Sequence, residues 1–135
     1  MSNSRAKVLI VDDSKPIRDA LQVILENLMF EIVGQANDGA EAVQKCRSLK
    51  PDIVTLDRIM PKMDGLEALR IIKVVAPKCL VVMVTARADK ASVMECAKAG
   101  ANHYLIKPFD ENQVADVMAQ VVSKLAALSA TPKPG

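Results

Sequence analysis

The chain has 135 residues, half of them hydrophobic, and a net charge of +2 with both signs mixed along it. That supplies apolar material for one domain with a sizeable core. It leaves no basic stripe and, at 2% aromatics, no stacking platform for nucleic acid. No apolar run approaches the ~20 residues of a membrane span, so no membrane is expected as a partner.

Apolar runs and amphipathic stretches alternate along the chain. Val8-Leu9-Ile10-Val11 reads as a buried strand, and Ile17, Leu21, Ile24, Leu25 and Leu28 then fall on one helical face. Phe30-Glu31-Ile32-Val33 mixes polar with apolar residues, as a strand at a sheet edge can. Asp38 with Glu41 resembles a capping box and starts the second helix. Pro51 stops that segment before the strand Ile53-Val54-Thr55-Leu56, which ends on Asp57. Asp64 with Glu67 starts a third helix carrying Leu66, Leu69 and Ile72, and Pro77 ends it. Leu80-Val81-Val82-Met83-Val84 is the most apolar strand. The fourth helix, near Lys90 to Ala99, has only Val93, Met94 and Ala97 as an apolar face, with Gly100 as its C-terminal cap. His103 to Ile106 is a short fifth strand. Asp110 and Gln113 cap a last helix with Val114, Val117, Val121, Leu125 and Leu128 directed inward. The folded body is expected over residues 7–128, with a flexible N-terminus over 1–6 and a disordered tail over 129–135.

Five βα units in a row imply an α/β fold with a parallel sheet covered on both faces. Right-handed crossovers require one reversal of winding, and the flavodoxin-like strand order 2-1-3-4-5 places it between strands one and three. The crevice at that switch point lies outside the ends of those two strands, where Asp12-Asp13 and Asp57 stand.

Carboxylates gathered there repel one another, and a hard divalent cation relieves the repulsion. Asp13 and Asp57, with the Ile59 carbonyl, are the direct Mg²⁺ ligands expected, and Asp12 acts through a metal-bound water. A carboxylate can take a phosphoryl group as an aspartyl phosphate. Lys107, after the fifth strand, offers a compact positive charge to phosphoryl oxygens, and Thr85, at the end of the fourth, a hydroxyl. Taken singly, each residue has a plainer reading: Ser14 as a helix N-cap with Pro16 in the first turn, Thr85 as a strand-end residue, Lys107 as a solvated lysine. Their coincidence at strand ends favours a phosphoryl site. Cys46, Cys79 and Cys96 form no Cys-x-x-Cys and are expected to be reduced and at least half-buried, as in a cytoplasmic protein.

Val8-Leu9-Ile10-Val11-Asp12-Asp13-Ser14, Leu56-Asp57 with Met60-Pro61-Lys62-Met63-Asp64-Gly65, Val84-Thr85-Ala86 and Tyr104-Leu105-Ile106-Lys107-Pro108-Phe109 together resemble a bacterial two-component response-regulator receiver domain of the CheY-like, single-domain type. The resemblance implies that Asp57 accepts phosphate from a histidine kinase. It implies Asp12 and Asp13 as the Mg²⁺ acids, Mn²⁺ being able to substitute, and Thr85 and Lys107 as readers of the phosphoryl group. It further implies Tyr104 as a rotameric switch and a cis peptide between Lys107 and Pro108. Ile59 and Arg87 fall where the family tunes phosphoryl loss, and a branched Ile59 suggests slow self-dephosphorylation. Arg58 departs from the apolar residue usual after the acceptor; it could reach an acidic partner or crowd the pocket rim.

The function so implied is a signalling phospho-acceptor that catalyses only its own phosphorylation and slow autodephosphorylation. The expected protein is a monomer or weak dimer whose target docks on helix 4, strand 5 and helix 5, with the flagellar motor switch as a candidate. Alternatives are a single-domain phosphorelay carrier or a receiver excised from a DNA-binding regulator. An aspartyl-nucleophile phosphatase would show Asp-x-Asp where this chain has adjacent Asp12-Asp13, and no glycine-rich nucleotide loop follows the first strand.

Overall fold

The computed structural model describes residues 5–130. Strands and helices alternate: β1 (Lys7–Val11), α1 (Lys15–Asn27), β2 (Glu31–Ala36), α2 (Gly39–Leu49), β3 (Ile53–Leu56), α3 (Gly65–Val75), β4 (Leu80–Thr85), α4 (Lys90–Lys98), β5 (His103–Ile106) and α5 (Glu111–Ala130). The sheet has five parallel strands in the order β2-β1-β3-β4-β5. This is the flavodoxin-like arrangement expected from the βα alternation.

Successive side chains of a strand point to opposite faces, and here both faces are dry. Leu9, Val11, Val54, Leu56, Val81 and Met83 pack on one side with Leu69, Ile72 and Cys96. Val8, Ile10, Ile53, Val82 and Val84 pack on the other with Leu21, Leu25, Val114 and Val121. Burying each large aliphatic side chain contributes about 1.5–3 kcal/mol, so the double-sided core fixes the strand register. That register sets Val11 against Leu56. The next residues, Asp12 and Asp57, therefore leave the sheet at the same end, and Asp57 N–H still donates to the Val11 carbonyl at 3.1 Å.

The helix starts are built by side-chain oxygens that accept otherwise orphaned N–H groups. Ser14 caps α1 through Ile17 N–H, Asp38 caps α2 through Glu41 N–H, Asp64 caps α3 through Leu66 N–H, and Asp89 caps α4 through Ser92 N–H. Gly100 follows α4 at φ 110°, a left-handed conformation suited to glycine.

Several local expectations differ from the structure. The edge strand β2 runs on through Gly34, Gln35 and Ala36 rather than ending at Val33, because pairing with β1 continues past a register shift between Val8 and Leu9. Helix α4 buries Ser92 and Cys96, not Val93, Met94 and Ala97. On α5, Met118 is buried and Leu128 is 52% exposed. The helix spans 20 residues, ~30 Å, and overshoots the four-residue strand β5, so its last turns have no sheet beneath them. Helix α5 also includes Ser129 and Ala130, which composition assigned to the tail. Residues 1–4 of the expected flexible N-terminus and 131–135 of the expected tail lie outside the described residues.

Candidate functional site

Four strand ends meet at one rim of the sheet. The carboxylate oxygens of Asp12, Asp13 and Asp57 lie within 4.8 Å of one another, with Asp12 and Asp57 buried and Asp13 exposed. Lys107 Nζ stands 2.6 Å from Asp12 Oδ2 and 3.2 Å from Asp57 Oδ2. The other oxygen of Asp12 accepts Ser14 N–H at 2.9 Å, and that of Asp57 accepts Ile59 N–H at 3.3 Å. Each buried carboxylate is thus held at both oxygens. The Lys107–Pro108 peptide is cis, and Lys107 N–H donates to the Thr85 carbonyl at 2.9 Å, which ties the lysine's backbone to the end of β4.

Burial raises the Asp57 carboxyl above its ordinary range; the Lys107 charge pulls it back and the Asp12 charge pushes it further up. Burial also works against the Lys107 charge, but Asp12 and Asp57 outweigh it and hold the ammonium above its usual value. The pocket therefore sets one cation between two buried carboxylates. Its ligand set consists of hard oxygens, which suits Mg²⁺.

Thr85 is fully buried, and its hydroxyl accepts Arg87 N–H at 3.3 Å. Tyr104 is half-buried on β5; its hydroxyl donates to the Arg87 carbonyl at 3.0 Å and lies 3.4 Å from Ser92 Oγ. Ile59 projects outward at 58% exposure, over the rim beside Asp57. The Arg87 side chain reaches Asp89 at 3.4 Å on the surface. Arg58 takes the first of its two expected courses: it turns inward and meets the acid Glu95 at 2.9 Å, together with Ser92. The three cysteines are free and buried.

Residues that sequence reading passed over support the site. Arg18 donates from Nη1 to the Asp12 carbonyl at 2.7 Å and from Nε to Gln35 Oε1 at 2.8 Å, clamping the end of β1 to β2. A polar residue on the first turns of a helix that follows Asp-Asp was the available signal. Gly65 sits so close to the segment after β3 that a Cβ there would lie 2.1 Å from the Asp57 carbonyl oxygen. Its N–H donates to the Arg58 carbonyl at 2.7 Å. The motif contained this glycine, but its steric reason required the fold.

The five-stranded parallel sheet, with three acids and a lysine at its carboxyl rim, defines the class of signalling receiver domains. The model of the response regulator receiver domain matches residues 8–119, and the chain belongs to that family. The chain is 39% identical over 115 residues to the chemotaxis protein CheY of Thermotoga maritima, covering 85% of this chain and 96% of the relative. It is 42% identical over 112 residues to CheY of Listeria monocytogenes, covering 83% and 94%. Among solved structures, CheY in the CheX-CheY-BeF3-Mg complex from Borrelia burgdorferi superposes with a TM-score of 0.84 at 37% identity, covering 87% of this chain and 89% of that one. The protein is accordingly a CheY-like response-regulator receiver, a phospho-accepting component of two-component signalling.

Proposed function

We propose that Asp57 is the phospho-acceptor. One of its carboxylate oxygens attacks the phosphorus of a phosphohistidine on a histidine kinase; the P–O bond forms, the P–N bond breaks, and the imidazole leaves with the electron pair. The observation that carries this reading is the convergence of Asp12, Asp13, Asp57 and Lys107 at one rim of the sheet. Lys107 already bridges two carboxylates and is placed to pair with phosphoryl oxygens once they arrive. Asp12, Asp13, Asp57 and the Ile59 carbonyl would hold Mg²⁺, or Mn²⁺ in its place, which offsets phosphoryl charge when bound. Thr85 then reads the phosphoryl group with its hydroxyl, and Tyr104 moves toward the space Thr85 vacates.

In this reading residues 7–128 form a cytoplasmic receiver, monomeric or weakly dimeric, that performs no chemistry beyond its own phosphorylation and slow dephosphorylation. The α4–β5–α5 face carries the phosphorylation-dependent target, for which a flagellar motor switch component is tested first. The decisive experiment incubates the protein with acetyl phosphate and Mg²⁺ and measures intact mass. One phosphoryl adduct is expected in the wild type and none in Asp57→Asn. An adduct that persists in Asp57→Asn overturns the assignment.

A further inference from the structure

Arg58 follows the proposed acceptor directly and is only 8% exposed. A buried guanidinium is costly unless it is paired and hydrogen-bonded. Its partners all come from α4: Nη1 donates to Ser92 Oγ at 2.7 Å, and Nη2 meets Glu95 Oε1 at 2.9 Å. Ser92 and Glu95 are three apart and share a helix face. The serine that Arg58 holds is also the one that approaches the Tyr104 hydroxyl, at 3.4 Å. Only two residues of α4 are buried, Cys96 in the apolar core and Ser92 against Arg58. Its attachment is therefore part apolar, through Cys96 in the core, and part polar, through the Arg58 hydrogen bonds to Ser92 and Glu95.

We infer that Arg58 is a positioning residue: its clamp on Ser92 and Glu95 holds α4 against the end of β3 and, through Ser92, keeps Tyr104 in its hydrogen bond to Arg87 while Asp57 is unmodified. A state in which Tyr104 leaves both Arg87 and Ser92 gives up a contact that the clamp maintains. The strength of the clamp thus sets how far the two placements of α4 and Tyr104 are separated in free energy. The signalling meaning of this inference rests on Asp57 being the acceptor; the clamp itself does not.

The test uses the full chain and two local readouts. Amide hydrogen exchange over residues 90–98 reports the docking of α4. Tyrosine fluorescence reports Tyr104 alone, because the chain has one tyrosine and no tryptophan. Arg58→Met keeps the bulk of the side chain and removes its donors, while Glu95→Gln changes only a half-exposed residue. Exchange over 90–98 should rise on the order of tenfold in Arg58→Met, and less in Glu95→Gln, with the rest of the sheet unaffected. The fluorescence of unmodified Arg58→Met should move toward that of the phosphorylated wild type, and Arg58→Lys, which retains charge without the fork, should restore part of both signals. The two substitutions should be non-additive. Exchange that is unchanged, or that rises equally throughout the sheet, overturns the clamp, as does an unmoved tyrosine signal. Intact mass after acetyl phosphate is read on the same samples. A wild type that takes no adduct refutes the acceptor assignment, while the exchange data still decide the clamp.

Discussion

Lys107 and Asp12, 95 residues apart in the chain, form an ion pair of 2.6 Å in the site, and the same ammonium reaches Asp57 at 3.2 Å. One cation therefore compensates two buried carboxylates. Replacing it by Met leaves both without their counter-charge, and breaking such a pair by removing one partner is expected to cost about 1–3 kcal/mol. Urea denaturation of Lys107→Met in metal-free buffer should show this loss, and added Mg²⁺ should recover part of it by binding the folded state. A variant as stable as the wild type without metal would mean that the pair contributes no net stability.

Asp57 carries the complementary prediction. Its carboxyl is raised from the ordinary 3.8 chiefly by burial. The folded protein thus binds this proton more tightly than the unfolded chain does. The associated stability is fully present below 3.8 and is lost as pH rises through the raised folded value. Asp57→Asn, which carries no charge to bury, should therefore be more stable than the wild type at neutral pH, by about 1 kcal/mol as is common when functional sites are neutralised. The difference should vanish at pH values below 3.8. Thermal melts without metal across pH 3 to 8 measure it; a gap that widens on acidification contradicts the sign.

The sheet and its switch point were legible because apolar periodicity and βα alternation depend on local sequence. Asp12 and Asp57 could be brought together on paper, since strands buried on both faces leave the register little freedom. The attachment of α4 was not legible. Its buried face is Cys96, set in the apolar core, and Ser92, met by a guanidinium from the segment after β3, and no period in the helix records that. Arg58 could be singled out as unusual, yet its partner lies 37 positions away, and only the packing selects Glu95. Leu128 failed for a related reason: helical spacing says which face a residue shares, not whether a neighbour lies under it.

Gly65 gives a steric prediction. A Cβ at this position would meet the Asp57 carbonyl oxygen at 2.1 Å and Arg58 Cα at 2.5 Å, both backbone atoms that cannot rotate away. Gly65→Ala must displace either the start of α3 or the segment that carries Asp57. Destabilisation of about 3 kcal/mol or more is expected, in the range reserved for severe backbone conflict. Because the displaced segment holds Asp57, adduct formation should slow beyond what the stability loss explains. Denaturation midpoint and initial rate of acetyl-phosphate modification, measured at a temperature where the variant is folded, separate the two effects.

Ile59 gives a kinetic prediction about the lifetime of the proposed phosphoryl group. Its N–H is engaged by Asp57 Oδ1, so its backbone is fixed, while its side chain is 58% exposed above the rim. Hydrolysis of an aspartyl phosphate needs a water in line with the P–O bond to be broken, and a branched apolar side chain beside the acceptor neither orients nor admits one readily. An amide in its place supplies a donor and an acceptor that can hold such a water. Ile59→Asn should therefore shorten the phosphoryl lifetime on the order of tenfold, with little change in stability because the replaced side chain is mostly in solvent. The measurement is the decay of the intact-mass adduct after the phosphodonor is removed. A wild-type half-life of seconds, or an Ile59→Asn decay no faster than wild type, would show that the rim residue does not set the timing. The fixed backbone keeps the test clean: a change in decay without a change in modification rate isolates access of water from reactivity of Asp57.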